Sequence, residues 1–340
     1  MNNKLFLFIG LLATVVVIFF ALSDKDSKST ISGIENYSFT VEDTGAIQKI
    51  IIKDKRPTQV ELVREKGSWM VNGKFFARKD AIEVLLGTMN QMTLKNFTEE
   101  SSREAILKNM SVYGKEVFLY DENGSEIKHF YVGTNVSNDM GTFMLMAGAE
   151  QPYAVYIPGF NGYLSSRFIT DEHLWRDRKI FGISVEEITE VTMDYPEFKT
   201  NSFSVQKNAE GEVHVLDSQG ESTDFNPQRA LAFLQGVAKA NYEGMIVESD
   251  EIWPKRDSIL NSLPVFICQV THGDGEKMTL SGYHIKAAKG ILDPEGNPAQ
   301  WDADRMYGQI SDGRFTLIQY FGLSRVLKSL EEIKDPQPLM

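Results

Sequence analysis

Histidine and cysteine are the side chains that most often bind metals or act as nucleophiles, and this chain has five histidines and one cysteine. No two histidines lie four residues apart around a glutamate, so the zinc-binding helix of metalloproteases is missing from the sequence. His272 and His284 could meet across a predicted hairpin, although isolated strand histidines are more often hydrogen-bonded surface groups. Cys268 stands in the apolar run 265–270, which favours a buried structural thiol over a reactive one.

Carboxylates and glycines give no stronger signal. Residues 121–126 are rich in Asp and Glu, but their length and flanking strands fit a hairpin turn better than a calcium loop. Gly133 and Gly141 are too far apart for a phosphate-binding loop and are not followed by its lysine. Asp194 and Glu197 lie close together in the sequence, but a glycosidase site depends on the distance between two carboxylates in space, which the sequence does not give. We therefore predict no catalytic residues, no cofactor or cofactor-binding residues, and no metal ligands.

An aromatic cluster precedes the middle of the chain, and it has two interpretations. Its members are Tyr153, Tyr156, Phe160, Tyr163 and Phe168. Such a cluster could form a platform for a ligand, or it could be a core strand that leads into a packed helix. We favour the core, because large aromatic side chains are usually buried.

The elements that must position these residues follow an internal repeat. Residues 46–168 and 187–330 show the same order of patterns, in which three short alternating strands precede a helix, two further hairpins and a short closing helix. The helices are predicted over residues 76–92 and 225–240, aligned on Phe76 and Phe225. In the second helix Leu231, Leu234, Val237 and Ala238 share one face, with Asn226 as N-cap and Pro227 at the start.

Turn signals support the hairpins. Asn-Gly at 123–124 and Asp-Gly at 274–275 lie between strand-like runs, and both dipeptides favour tight turns. Consecutive strands joined by hairpins give antiparallel sheets. The predicted fold class is therefore α+β, with two tandem, internally duplicated antiparallel-sheet units and packed helices, preceded by one N-terminal transmembrane helix.

Residues 169–186 form the predicted connector between the two units, and residues 331–340 a C-terminal tail. The connector mixes Leu174 and Trp175 with the basic residues 176, 178 and 179. A linker helix whose tryptophan packs between the halves accounts for this mixture.

The N-terminal segment 5–22 predicts a membrane anchor. Its eighteen residues carry no charge, and a helix of that length spans about 27 Å, close to the hydrocarbon thickness of a bilayer. A cleaved signal peptide is the alternative, but the run is longer than a typical signal core. We predict a tail at residues 1–4, a transmembrane anchor in contact with membrane lipid at 5–22, and a polar linker at 23–45.

Charge limits the partners. The chain has a net charge of −12 and a pI near 5.0 and shows no cluster of Lys and Arg, so we expect no nucleic-acid partner. The sequence does not predict an oligomeric state.

Several short motifs together are similar to those of a known family. Gly67-Ser-Trp69, Arg78-Lys-Asp80, the Val132-Gly133 pair, and the run 151–157 followed by Arg167-Phe168 resemble a DUF4340 domain. The function of this bacterial family, frequent in Bacteroidetes, is unknown. The resemblance implies one N-terminal membrane segment and an auxiliary role beside ABC-type transport systems, including gliding-type complexes. It transfers no catalytic residue.

These observations lead to one expected function and one alternative. We expect a non-catalytic accessory or scaffold protein, anchored once in a bacterial inner membrane, with its body in the periplasm or extracytoplasmic space and possible ABC-type transporter subunits as partners. The alternative is a ligand-binding module that uses the cleft between the two repeat units. An enzyme is the third interpretation, because no catalytic constellation is recognisable.

Overall fold

The fold is seen in a computed structural model that describes residues 37–56, 58–136, 141–208 and 210–334. The predicted anchor at 5–22, the tail at 1–4, residues 335–340 and most of the 23–45 linker lie outside these residues. Within the described ranges, no helix has the length and apolarity needed to span a membrane.

The chain divides into two compact units between Trp175 and Arg176. Each unit has its own hydrophobic core, built from one face of a sheet and the helix that covers it. The structure is thus α+β, as predicted, with two antiparallel sheets.

The first unit contains a nine-stranded antiparallel sheet in the order β4-β3-β2-β1-β6-β7-β8-β9-β5. Alternation explains its strands, because every second side chain is apolar and faces the core, as Ile50 and Ile52 do in β1. The strands are β1 (Lys49–Lys53), β2 (Gln59–Glu65), β3 (Ser68–Val71), β4 (Phe75–Phe76), β5 (Thr93–Phe97), β6 (Lys115–Tyr120), β7 (Glu126–Asn135), β8 (Thr142–Met146) and β9 (Tyr153–Tyr156).

Helix α1 (Lys79–Gln91) covers this sheet and buries Ile82, Leu85 and Met89. The prediction started the helix at Phe76, which is wrong, because Phe75–Phe76 pair with β3 as a short edge strand. The structure has a second helix, α2 (Glu100–Tyr113), which the predicted repeat of strands, one covering helix and a closing helix does not contain. Its sole buried residue is Met110, so its apolar periodicity is too weak to read.

The second unit contains an eight-stranded antiparallel sheet in the order β12-β11-β10-β14-β15-β16-β17-β13. Its core face alternates in the same way, with Val191 and Met193 buried in β10. The strands are β10 (Ile188–Asp194), β11 (Phe203–Lys207), β12 (Val213–Asp217), β13 (Gly244–Met245), β14 (Phe266–His272), β15 (Lys277–Lys286), β16 (Trp301–Ile310) and β17 (Phe315–Gln319).

Helix α3 (Glu172–Trp175) ends the first unit. In the second unit, helix α4 (Pro227–Ala238) covers the sheet, and the side chain of Asn226 caps it by accepting hydrogen bonds from the backbone amides of residues 228 and 229. This confirms the predicted N-cap at Asn226 with Pro227 at the start, although the predicted range 225–240 began two residues too early. The predicted buried face is wrong at Leu231, which is 47% exposed, because Ala230 and Phe233 are buried instead.

The helix caps also correct the alignment between the two units by one residue. Arg78 is the N-cap of α1 and Asn226 is the N-cap of α4, so these two residues correspond. Aligning Phe76 with Phe225 would instead match Arg78 with Pro227, one residue further along the chain. With this register Thr88 corresponds to Gly236, and both are buried.

The order β3-β2-β1-β6-β7-β8-β9-β5 in the first sheet matches the order β12-β11-β10-β14-β15-β16-β17-β13 in the second. In each, the covering helix leads to a strand on the far edge, where β5 pairs with β9 and β13 pairs with β17. The first unit adds the edge strand β4. The connection from the far-edge strand to the centre of the sheet holds α2 in the first unit and the shorter α5 (Arg256–Leu260) in the second. The agreement is therefore one of sheet topology, and the units differ at one edge and in the length of this connecting helix.

The predicted closing helices are mostly irregular. Residues 160–166 contain only part of a 3₁₀ turn at Ser165–Arg167. Residues 321–329 are irregular, and Leu330 begins the short helix α6 (Leu330–Ile333). In the predicted connector, Trp175 ends α3 and is buried in the core of the first unit. There its indole Nε1 donates a hydrogen bond to the Ile169 carbonyl at 3.0 Å.

Candidate binding surface

The open face of the first sheet, opposite its core, carries an unusual set of side chains. Because strand residues alternate, the positions between the core residues of β1, β6 and β7 all point to this face. They bring together Phe118, Tyr120, His129 and Tyr131, all partly exposed. We call these four residues the aromatic face.

The four rings contact one another in a short ladder. Phe118 and His129 are directly opposite on β6 and β7, and their rings stack with centroids 4.1 Å apart. Tyr120 lies parallel to Phe118 at 6.3 Å, and Tyr131 lies 5.4 Å from His129. The rings therefore form a cross-strand ladder on this face, and all four are partly exposed.

Three lysines surround the ladder. The ammonium of Lys53 lies 4.4 Å from the ring centroid of Phe118, and that of Lys49 lies 4.8 Å from Tyr120. Lys55 lies 6.0 Å from Tyr131. These are cation–π distances, and the attraction at exposed sites is only about 0.5–1 kcal/mol, so an acidic partner could draw the lysines away.

One carboxylate lies within the ladder. Glu116 Oε1 is 3.0 Å from His129 Nε2 and orients that ring. Burial, together with the neighbouring Glu116 carboxylate, raises the pKa of Tyr131 above its usual value, so this phenol stays neutral at physiological pH.

The apolar character of this face continues toward the far edge of the sheet. Tyr131 is paired with Leu145 on β8, and Phe143 is next on the same face. Tyr156 on β9 follows, with the Lys95 ammonium 5.8 Å from its ring. Partly exposed rings and lysines therefore extend across the sheet from β1 to β9.

The second sheet presents a different chemistry at the equivalent positions. Matching the strand registers on the core pairs Ile52–Val117 and Met193–Cys268 places Gln269 where the first sheet has Phe118. The same match gives Thr271 for Tyr120, Thr279 for His129, Ser281 for Tyr131 and Gln309 for Leu145. Hydroxyl and amide side chains are typical of a solvated sheet face.

The charges differ as well. Lys49 of β1 corresponds to Glu190, and Lys53 corresponds to Asp194. The second sheet is thus an internal reference, which shows that this strand order needs neither the aromatic rings nor the lysines.

The histidines considered in the sequence do not come together. His272 ends β14 next to the hairpin turn, whereas His284 lies at the other end of the same hairpin. His284 stacks on Trp301 at 4.5 Å and contacts the Tyr320 hydroxyl at 3.3 Å, and burial lowers its pKa. In the described ranges, no group of three or more His, Cys, Asp or Glu side chains could hold a metal ion.

The other residues considered in the sequence have structural contacts. Cys268 is fully buried in the second core, and burial raises the pKa of its thiol. Asp194 pairs with Lys199 at 2.6 Å. In the aromatic cluster at 153–168, Tyr153 and Phe168 are core residues, as favoured, whereas Tyr163 is 41% exposed.

Sequence reasoning did not find the aromatic face. Residues 117–120 form the strand-like run before the Asn-Gly turn, and apolar residues on both faces of such a run look like those of a fully buried strand. The available signal was that rings stand between the core residues of two consecutive strands, at Phe118, Tyr120, His129 and Tyr131.

A family profile agrees with the resemblance seen in the sequence. The family described as Domain of unknown function (DUF4340) matches residues 69–256, more than half of the chain. The chain belongs to the DUF4340 family. The match begins in β3 and ends where α5 starts, so it includes β6 and β7, which carry the aromatic face. No curated protein matches the chain.

Proposed function

We propose that this DUF4340 protein is a non-catalytic accessory protein that binds an acidic segment of a partner protein on the aromatic face. The supporting observation is the contrast at matched positions, where the four rings and two lysines of the first sheet correspond to polar or acidic residues of the second. Aromatic residues are enriched at protein interfaces because they bury much area at a small cost in side-chain entropy.

The charge of the aromatic face selects the partner. Lys49, Lys53 and Lys55 lie around the rings and outnumber the Glu116 carboxylate within the ladder, so this face is a local positive region on a chain whose net charge is −12. Such a region favours an acidic protein segment both in steering and in register.

The remaining parts of the proposal come from the sequence. Residues 5–22 anchor the chain in a bacterial inner membrane, and both units stand on the extracytoplasmic side. The partner is then a membrane complex, with ABC-type transporter subunits as the candidates that the family resemblance implies. The two units arose by internal duplication, and the shared strand order supports this origin.

Site-specific crosslinking tests the partner. A photoreactive benzoylphenylalanine replaces Tyr120 in the full-length chain in its native membrane, and the matched control carries it at Thr271, the equivalent position of the second sheet. We expect one adduct from position 120 whose crosslinked peptide is acidic, and none from position 271. Adducts of equal yield at both positions, or none at 120, would refute the binding surface.

Charge reversal tests the acidic nature of the partner. The double variant Lys49→Glu/Lys53→Asp carries the residues of the second sheet, and we expect it to lose the adduct. The conservative pair Lys49→Arg/Lys53→Arg should keep it. If charge reversal leaves the yield unchanged, the partner is not chosen by charge.

Protease protection tests the topology. In intact spheroplasts, added protease should digest residues 37–334. Full resistance before lysis, with digestion afterwards, would place the two units on the cytoplasmic side.

A further inference from the structure

A groove lies in the first unit, between α1 and the residues that follow β9. Its volume is about 600 Å³, within the range of small-molecule sites. One wall is formed by the exposed side of α1 and the other by residues 157–160, and Arg167 completes the lining. This groove is separate from the aromatic face, since α1 covers the core side of the sheet.

Arg167 is held in place from two directions. Its Nη1 donates a hydrogen bond to Thr88 Oγ1 at 2.8 Å, and its guanidinium carbon lies 4.3 Å from the ring centroid of Phe160. The Thr88 hydroxyl in turn donates to the Val84 carbonyl at 2.6 Å, and Thr88 is fully buried. A guanidinium that stacks on a ring and bonds a fixed hydroxyl is preorganised for recognition.

The charge of Arg167 has no carboxylate partner within the described ranges. Other arginines of the chain do have one, for example Arg305, which makes two bonds to Glu243 at 2.7 and 2.9 Å. Burial lowers the pKa of Arg167. Arg167 is half-buried and lines the groove, and its guanidinium keeps N–H donors beyond the one that bonds Thr88.

We infer that this groove binds a monoanionic carboxylate ligand through Arg167. The planar fork of a guanidinium matches a carboxylate with two parallel hydrogen bonds. Ile157, Phe160 and Val84 provide apolar surface beside it for the rest of the ligand. Asp80 and Glu83 also line the groove, and their negative charges disfavour a multiply charged anion such as phosphate.

The second unit provides a natural control. Gly236 occupies the position of Thr88, and Arg325 packs directly over it, where a Cβ would lie 2.6 Å from Arg325 Cβ. The corresponding groove is lined by Arg229, Arg325 and Lys328, but it has no hydroxyl to hold an arginine. Both units therefore place an arginine beside the same position of the covering helix, Arg167 at Thr88 and Arg325 at Gly236. The hydrogen bond that preorganises the guanidinium is found for Arg167 in the first unit.

Ligand-observed NMR on the full-length chain in detergent tests the inference with paired probes. The first pair is N-acetylphenylalanine and N-acetylphenylalaninamide, and the second is the peptide N-acetyl-Ala-Ala-Phe as free acid and as amide. We expect each acid to bind about tenfold more tightly than its amide, since the amide lacks the charge-assisted bonds. Equal affinity of acid and amide would overturn the proposal.

Comparison of the two acids identifies the source of the carboxylate. Equal binding of the single residue and the tripeptide supports a small free acid, and tighter binding of the tripeptide supports a peptide C-terminus. Inorganic phosphate is the competing probe. If phosphate displaces the acids at concentrations near their own dissociation constants, the groove is a general anion site and the carboxylate assignment fails.

Variants separate the roles of Arg167 and Thr88. Arg167→Gln should abolish acid binding, and Arg167→Lys should weaken it about tenfold, because lysine has no planar fork. Thr88→Val should weaken binding by loosening the arginine, and Thr88→Ser should restore it. Arg325→Gln in the second unit is the matched control and should bind like the wild type.

Two results would refute the assignment to Arg167. One is unchanged acid binding by Arg167→Gln, and the other is an equal loss in Arg325→Gln. Thermal unfolding of each variant checks that the first unit is folded. Because the crosslink at position 120 reports on the other side of the sheet, this inference and the proposed partner surface can fail independently.

Discussion

Replacing Phe118 by Gln, the residue at the equivalent position of the second sheet, tests whether the aromatic face serves binding or stability. Phe118 is partly exposed and stacks on His129 at 4.1 Å beneath the Lys53 ammonium at 4.4 Å. A cross-strand pair of this kind contributes about 0.2–1 kcal/mol and an exposed cation–π contact about 0.5–1 kcal/mol. With some apolar burial also lost, we expect Phe118→Gln to lower the free energy of unfolding by about 2 kcal/mol.

The comparison variant is Phe130→Ala, on the core face of the neighbouring strand. Phe130 is fully buried and makes edge-to-face contacts with Phe39 at 6.3 Å and Phe168 at 5.9 Å. Truncation of a buried phenylalanine costs about 3–5 kcal/mol, because a cavity remains. The two variants should therefore differ clearly in stability, and only Phe118→Gln should lose the crosslink at position 120.

Urea unfolding of the full-length chain in detergent measures both effects. Trp253 and Trp301 are replaced by Phe, so the fluorescence comes from Trp69 and Trp175, which both lie in the first unit. A double-mutant cycle with His129→Thr should give a coupling of about 0.5–1 kcal/mol.

A loss as large as that of Phe130→Ala would refute the reasoning. It would mean that the rings are a second structural core of the first sheet, and the contrast with the second sheet would then say nothing about binding. Unchanged crosslinking by a stable Phe118→Gln variant would refute the binding role directly.

Three further predictions concern buried groups. The ammonium of Lys115 donates to two backbone carbonyls at 2.6 and 3.1 Å, and burial lowers its pKa. The unfolded chain therefore keeps this proton to a higher pH than the folded chain does. The free energy of unfolding should rise with pH between the lowered pKa and the usual value of 10.5. Urea titrations across that range should show this rise, and Lys115→Met should lack it. Gly282→Ala should destabilise the second unit by about 1–3 kcal/mol, because the new Cβ would lie 2.2 Å from Phe266 Cε1. The control is Gly244→Ala, whose Cβ would meet nothing within 4 Å, so it should have little effect. Thermal unfolding measures both variants. Cys268 should stay unreactive toward a thiol reagent until the protein unfolds, since burial raises the pKa of its thiol; rapid labelling of the native protein would contradict this.

Much of the fold could be predicted from the sequence, because local patterns specify it. Strands such as β1 alternate, Asn226 and Pro227 announce α4, and the hairpin turn at 121–124 is closed by Gly124 with a φ of 76°. Helix α2 could not be predicted, because only Met110 of its fourteen residues is buried and it has no side-chain cap. The one-residue error between α1 and α4 arose because the alignment was based on Phe76 and Phe225, neither of which lies within either helix.

The candidate sites were harder to predict than the fold, because they depend on registers and long-range contacts. That Phe118 stacks on His129 follows only from the pairing of β6 with β7. Arg167 and Thr88 are 79 residues apart in the chain, and nothing local indicates that their side chains meet. The sequence offered Arg167 only as part of a family motif, without a role.

The two sheets together make a stronger argument than either sheet alone. Both have the same order in the eight strands that they share, and both pack a helix against one face. The second sheet keeps Gln269 and Thr279 at a cross-strand position where the first has Phe118 and His129. The architecture therefore does not require the rings. A partly exposed aromatic ladder is an aggregation risk unless something covers it, so the four rings at positions that are polar in the second sheet are best explained by a partner that binds there.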